Sequence, residues 1–324
     1  KPLIVTGRIV SELDAFKQLL SKLSEGGLEC VIFKDITGEP TDVMIDKGVK
    51  VYRENNCDFL IGMGGGSPLD AIKAIAVSDV CGGKLSDYMG EEISGKFPPM
   101  AAIPTTAGTG SEATKFTVIT DAETDVTMLL KGAALLPDLA IVDYTNTLSS
   151  PKSITASTGL DALTHAVEAY TSKQAQPLTD ALALSAVKRI FKYLPIAYND
   201  GNDETARYEM SIAALEAGIC INNSSVTIVH GMSRPIGALF HVPHGLSNAM
   251  LLCKCMEFAK DGATERFAEL SRAVGAVNKG QAVINCKGKI RQIFLPKKLC
   301  QMLKEYIKSQ NIKSGAVFVS KNGR

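Results

Sequence analysis

The sequence predicts an α/β domain built on a parallel sheet, then an all-helical domain, then a basic α+β tail. Three observations carry this. Short apolar runs alternate with helical spacing up to about residue 150. From Pro151 onward long helical patterns follow one another without intervening strands. Near residue 277 the charge balance breaks: 277–324 hold eleven Lys or Arg and one acid, Glu305, whereas 1–276 hold 24 basic and 33 acidic residues. At 324 residues and 45% apolar composition the chain exceeds what one core usually supports, roughly 250–300 residues. We therefore expect domains over 1–150, 151–276 and 277–324.

PLIVTG (2–7) is an apolar run ending in Gly, and the following SELDAFKQLLSKLSEGG has helical spacing with a glycine stop, so it reads as strand then helix. CVIFKDI (30–36) reads as a second buried strand and DVMIDKGVKVYRENN as a second helix. DFLIGMGGGSPLDAIKAIAV (58–77) is strand, glycine turn, and a helix expected to begin near Pro68. MAAIPTTAGTGSEAT and KFTVITD give strand, loop and strand. In the second domain SITASTGLDALTHAVEAYTS, PLTDALALSAVKRIFKYLP, DETARYEMSIAALEAGICI and ERFAELSRAVG are helical. In the tail AVINCKGKIRQIFLP suggests a basic hairpin, KKLCQMLKEYIKSQN a helix, and GAVFVSKNGR a last strand.

No run of about 20 apolar residues and no signal peptide is seen. The eight cysteines are scattered without CxxC spacing, and the lone CxC pair, Cys253 and Cys255, reads as packing. A reduced, soluble, cytoplasmic protein without membrane attachment is expected. The sequence starts on an apolar run without Met, so a preceding segment is expected.

Two glycine- and hydroxyl-rich loops follow strands. In GMGGGSPLD (62–70) glycines let a ligand approach the backbone, and free N–H groups at a helix start favour an anion such as a diphosphate. A plain tight turn is the alternative. AIPTTAGTGSEAT (102–114) is the second loop, and two at one sheet edge suggest a cofactor cleft.

Imidazole is concentrated oddly. HGMSRPIGALFHVPH (230–244) holds three of the four histidines, and the fourth, His165, stands four residues after Asp161 in a helical pattern. Residues four apart share a helix face. Asp161, His165, His230 and His244 thus form a candidate open site for Fe²⁺ or Zn²⁺. His241 is a further candidate ligand, a proton relay or a loop residue, and the relay or loop reading is preferred.

GGGSPLD, AIPTTAGTGSEAT, TGLDALTHAVEAY and HGMSRPIGALFHVPHG, in this order and spacing, resemble the iron-containing (group III) alcohol dehydrogenases from Lys1 to about Ala276. The resemblance implies a dinucleotide-binding α/β domain, a helical metal-binding domain, and a cleft between them. It implies Asp161, His165, His230 and His244 as ligands of Fe²⁺ (or Zn²⁺). Gly65, Gly66, Ser67 and Asp70 would surround the cofactor diphosphate, and Thr105, Thr106 and Thr109 would line the nicotinamide side. Hydride would pass between a small primary alcohol or aldehyde and NAD(P), in a protein that is a homo-oligomer.

Three departures qualify this. Arg234 stands where many members carry an imidazole near the nicotinamide, so a catalytic proton relay falls to His241. Gly7, followed by Arg8, replaces an Asp that binds the ribose 2′-hydroxyl in NAD-dependent members; this favours NADP(H) over NAD(H). Thr127 stands in place of a lysine. Beyond Ala276, INCKGKIRQIFLPKKLCQMLKEYIKSQNIKSGAVFVSKNGR is similar to a fragment of the tyrosine recombinase (phage-type integrase) catalytic domain, with Lys287 matching its hairpin lysine. The expectation is a dehydrogenase lacking its first strand and last helices, joined near Val277 to that fragment. Activity would then be impaired, and the alternatives are an inactive fusion product or DNA binding through the tail.

Overall fold

The computed structural model describes residues 1–240 and 242–275. The first half supplies β1 (Pro2–Thr6), a single turn α1 (Arg8–Ser11), α2 (Asp14–Glu25), β2 (Val31–Phe33), α3 (Asp42–Glu54), β3 (Phe59–Gly64), α4 (Gly66–Cys81), β4 (Met100–Pro104), β5 (Phe116–Thr120), β6 (Thr127–Lys131) and β7 (Leu139–Ala140). The second half is helical: α5 (Lys152–Thr171), α6 (Pro177–Asn199), α7 (Glu204–Ser224), α8 (Ile228–Phe240), α9 (His244–Ala259) and α10 (Thr264–Ala273).

Five strands form a parallel sheet in the order β2-β1-β3-β4-β7. The chain leaves β1 outward to β2 and returns to build β3 and β4 on the other side. That reversal places a crevice beyond the carboxyl ends of β1 and β3, where open α/β sheets bind ligands. Alternation in β1 buries Leu3 and Val5 against α3 and α4, and Ile4 against α2 with Phe16, Ile61 and Ile103, so both faces are covered. α4 is buried on nearly all sides, with Leu69, Ile72 and Ile75 fully inaccessible; each such side chain contributes about 1.5–3 kcal/mol relative to exposure.

Some details differ from the expectation. The second strand covers only Val31–Phe33 and is the sheet edge, with Ile32 42% exposed, so 30–36 is not a fully buried strand. α4 starts at Gly66, two residues before Pro68. β5 pairs antiparallel with β6, a strand whose polar start around Thr127 hid it in the sequence. In the helical half, α5 is central and packs on α6, α7 and α9. Among the described residues no single helix is long and apolar enough to cross a membrane. The recombinase fragment expected over 277–324 lies outside the described residues.

The halves are clamped at the joint. Arg207, buried, donates to the Gly201 carbonyl, Thr155 Oγ1 and the Ser150 carbonyl, and Ser150 Oγ donates to the Thr105 carbonyl. Gly110 meets Gly218 of α7 so closely that a Cβ on Gly110 would lie 2.5 Å from the Gly218 Cα.

Candidate metal centre

A central helix buried all round should be apolar, yet α5 carries Asp161, His165 and Glu168 on one inward face, each at most 4% exposed. Buried polar groups persist only when paired, and their partners come from α8 and α9. Glu168 Oε1 accepts from Thr227 Oγ1 at 2.7 Å and from the Val229 N–H at 2.6 Å. The carboxylate thus pins the free N–H groups at the start of α8, where a helix favours negative charge. His230 follows, and its Nδ1 stands 2.5 Å from Glu168 Oε2. With that nitrogen donating, Nε2 keeps its lone pair for the interior.

α9 opens on His244. It approaches α5 through Gly245, where a Cβ would sit 2.5 Å from the Ser157 carbonyl oxygen and 3.3 Å from Asp161 Cβ. Only glycine lets the two helices close enough to bring His244 to Asp161. Asn248, one turn on, sits inside the resulting cage.

Asp161 Oδ1 lies 3.8 Å from His165 Nε2, 4.0 Å from His230 Nε2 and 3.9 Å from His244 Nε2. All four donor atoms are within 4.8 Å of one another. A tetrahedron with edges between these values and 4.8 Å has its centre about 2.4–2.9 Å from each corner, so a small contraction reaches the roughly 2.0–2.2 Å of Zn–N and Zn–O bonds. The rings of His165 and His230 stack at 4.7 Å. Asn248 Nδ2 donates to Asp161 Oδ1 at 2.7 Å and lies 3.0 and 3.1 Å from Nε2 of His230 and His244. Its Oδ1 is buried with no partner among the described residues. The amide group thus places its positive end among three of the four candidate ligand atoms, the role a bound cation would take.

The electrostatics agree. Burial acts to raise the Asp161 pKa, but the three imidazoles and the Asn248 amide outweigh it, and the net shift is downward. Burial, then mutual repulsion with His165 and His244, holds His230 well below the usual imidazole range, and burial lowers His165 as well. With His165 and His230 held toward the neutral form and Asp161 toward the ionised one, the set fits a divalent Fe²⁺ or Zn²⁺. The His244 side chain is 38% exposed, so the cage opens on its side.

The loops that the resemblance implies as cofactor-binding gather at the carboxyl end of the sheet. Gly7 follows β1, Gly65 and Gly66 follow β3, and Thr105 follows β4. A Cβ on Gly66 would lie 2.8 Å from the Thr109 methyl, and one on Gly65 would lie 3.6 Å from Thr106, so the loops meet face to face. Gly65 caps α4 without a side-chain hydrogen bond, and the first turn, which includes Ser67, holds no acid, leaving its N–H groups able to take an anion. The Thr105 N–H donates to the Gly64 carbonyl at 2.8 Å.

Asp70 is already engaged: Oδ1 accepts from Ser111 Oγ at 2.5 Å and Oδ2 from the Val118 N–H at 2.9 Å. It braces the second loop from beneath. Gly108 of that loop presses on Thr158 of α5, where a Cβ would lie 2.5 Å from the threonine Cβ. The Gly108 carbonyl also faces the His165 ring, although Nδ1 makes no well-formed hydrogen bond among the described residues. His241 lies outside the described residues.

Sequence reasoning missed Glu168, Gly245, Asn248 and Lys73. Two had a usable signal: Glu168 lies seven residues after Asp161 and Asn248 four after His244, each on the helix face of a proposed ligand. Lys73, fully buried, donates to the carbonyls of Ser111, Thr114 and Phe116, and nothing in its apolar surroundings announced it.

Comparison with known proteins agrees with this arrangement. A family model described as iron-containing alcohol dehydrogenase matches residues 1–144, and that of the Fe-containing alcohol dehydrogenase family, C-terminal, matches 155–314. The second match extends past Ala276 to residue 314, over most of the stretch expected from the sequence to be a recombinase fragment. An NAD-dependent methanol dehydrogenase of Bacillus methanolicus is 38% identical over 276 residues, 85% of this chain and 72% of that protein. The crystal structure of a 1,3-propanediol oxidoreductase superposes with a TM-score of 0.84 at 34% identity, covering 97% of this chain and 80% of that one. Sulfoacetaldehyde reductase from Bifidobacterium kashiwanohense, solved in complex with NAD⁺, gives 0.81 at 30% identity, covering 97% and 79%. The chain belongs to the iron-containing alcohol dehydrogenase family.

Proposed function

We propose that the protein is a metal-dependent oxidoreductase that interconverts small primary alcohols and aldehydes with NAD(P), preferring NADP(H). The observation that carries this reading is the convergence of one carboxylate and three imidazole Nε2 atoms at a helix against which the second glycine loop packs, Gly108 on Thr158. When bound, a divalent ion supplies Lewis acidity toward the substrate oxygen, and a nicotinamide supplies or accepts the hydride.

The chain's own residues do the rest. Asp161, His165, His230 and His244 hold the ion, and Glu168 keeps the His230 Nδ1 proton so that Nε2 faces inward. The Gly65–Ser67 turn takes the diphosphate on the N–H groups of α4. Thr105, Thr106 and Thr109, on a loop wedged onto α5 at Thr158, fix the nicotinamide end relative to the ligand helix. The less buried edge at His244 admits the substrate, and His241 relays its proton.

The preference for NADP(H) rests on Gly7, which removes a carboxylate from the ribose, and on Arg8 beside it. Arg8 Nη2 is 2.9 Å from Asp35 Oδ1, with both groups exposed, so a 2′-phosphate must share the guanidinium with Asp35. The methanol dehydrogenase relative is NAD-dependent by name, so the proposed preference departs from that relative. We further propose a homo-oligomer in the cytoplasm.

The test is nicotinamide absorbance with butanal or lactaldehyde and each cofactor, before and after chelation. Chelator-sensitive turnover supports the reading, and its absence with every short aldehyde rejects it. The excess of basic residues after 276 favours a second reading, DNA contact by the recombinase-like tail, for which salt-dependent retention on DNA is the assay. A third reading, an inactive fusion product, predicts no rise in melting temperature with Fe²⁺ or Zn²⁺.

A further inference from the structure

We propose that Arg234 anchors an anionic group on the substrate, so that the alcohols and aldehydes handled at this centre carry a carboxylate or sulfonate at the end remote from the reacting carbon. The inference rests on the dehydrogenase reading above and names the substrate class within it.

Arg234 follows His230 by four residues in α8, so the two side chains share a helix face. It is half-buried, and its charge acts on both His230 and Glu168, which places the guanidinium beside the cage. Glu168 is the obvious partner, but it accepts from Thr227 Oγ1, the Val229 N–H and His230 Nδ1, and no hydrogen bond joins it to Arg234 among the described residues.

The described residues include seven arginines. Six donate to at least one acceptor: Arg8 to Asp35, Arg53 to Asp79, Arg189 to Glu209, Arg207 to Ser150, Arg266 to Asp180 and Arg272 to Glu265. The Arg234 guanidinium alone makes no hydrogen bond to the described residues. An arginine taken partly out of water, with its planar fork of donors unspent, matches a carboxylate or sulfonate in shape and charge. The dinucleotide diphosphate is the other anion at hand, but the uncapped start of α4, on the sheet side of the cleft, serves it.

The experiment compares substrates of equal chain length: succinic semialdehyde against butanal, and sulfoacetaldehyde against acetaldehyde. The metal-loaded enzyme and its Arg234→Gln and Arg234→Lys variants are assayed with saturating cofactor. We expect kcat/KM to favour an anionic aldehyde about 10-fold or more, mainly through KM, with the ratio collapsing in Arg234→Gln and partly restored in Arg234→Lys. The pair showing the ratio tells carboxylate from sulfonate. Equal kcat/KM for both members of each pair in the wild type overturns the inference, as does a ratio that survives Arg234→Gln. A rise in KM for the dinucleotide alone in Arg234→Gln also overturns it, by assigning Arg234 to a cofactor phosphate.

Absence of turnover with all four aldehydes rejects the dehydrogenase reading. Calorimetric binding of 4-hydroxybutyrate against 1-butanol then tests the anchor by itself. Tighter binding of the hydroxy acid, lost in Arg234→Gln, upholds it, and equal binding of the two overturns it.

Discussion

Glu168 and His230 meet carboxylate oxygen to ring nitrogen at 2.5 Å, with the glutamate fully buried and the histidine nearly so. The contact couples two tasks, since the same carboxylate holds the first turn of α8 through Val229 and Thr227. Glu168→Gln keeps the size and removes the charge that orients the imidazole. Metal affinity should fall by about 10- to 100-fold, with dinucleotide affinity unchanged. Titration with Zn²⁺ against a competing chelator reads the first and fluorescence of bound NADPH the second; undiminished metal affinity would remove Glu168 from the account.

Gly245 sets the distance between α9 and α5. A methyl group there collides with the Ser157 carbonyl, so Gly245→Ala should cost about 1–3 kcal/mol of stability, as overpacking does, and should weaken metal binding by displacing His244 and Asn248. Gly262, which has nothing within 4 Å of its Cβ direction, is the control: Gly262→Ala should change stability by no more than about 0.5 kcal/mol. Thermal melts of the pair decide it, and equal melting temperatures would contradict the packing argument.

Lys73 braces the loop that carries Thr109 and Gly110 from inside the protein. Burial lowers its pKa from 10.5 to about 8, against the attraction of Asp70 and Glu112. Between these values the unfolded chain binds more protons than the folded one, so stability rises with pH. Cys30, Cys57, Cys81, Cys220 and Cys255, all raised from 9.0 chiefly by burial, act in the opposite sense as pH approaches and passes 9. The lysine's share is therefore read against Lys73→Met, itself less stable because three carbonyls lose their donor. From pH 8 to pH 9 denaturation should show the wild type gaining about 1 kcal/mol relative to that variant. An unchanged difference between the two would show that the lysine stays protonated.

Gly7 is the proposed determinant of cofactor choice. A Cβ there lies 3.1 Å from the Ile36 carbonyl, a tight fit that a small shift of the 35–38 loop relieves. Gly7→Asp should therefore fold, restore a carboxylate at the ribose, and move the NADP-to-NAD ratio of kcat/KM toward NAD by about 10-fold or more. An unchanged ratio, or equal rates with both cofactors in the wild type, would count against the role given to this position.

Much of this was legible in the sequence because the signals are local. The run DFLIGMGGGSPLD encodes a strand, a turn without side chains and a helix start in consecutive residues, and β3, Gly65 and α4 follow it closely. Asp161 and His165 share a face by helical spacing alone. What stayed hidden depends on partners far along the chain. The orientation of His230 comes from Glu168, 62 residues earlier. The closeness of α9 to α5 comes from one missing Cβ at Gly245. Asp70, read as a cofactor contact from its place in the motif, is occupied by Ser111 and Val118, a pairing that no periodicity announces. β2 read longer and more buried than it is because an apolar edge strand and a central strand look alike in sequence.

The central claim is that Asp161, His165, His230 and His244 hold one divalent ion. Elemental analysis of the purified protein loaded with Fe²⁺ or Zn²⁺ and gel-filtered tests it most directly, alongside His230→Ala. We predict one ion per chain in the wild type and loss of that ion in the variant, with dinucleotide binding kept. Full metal stoichiometry in His230→Ala would contradict the assignment.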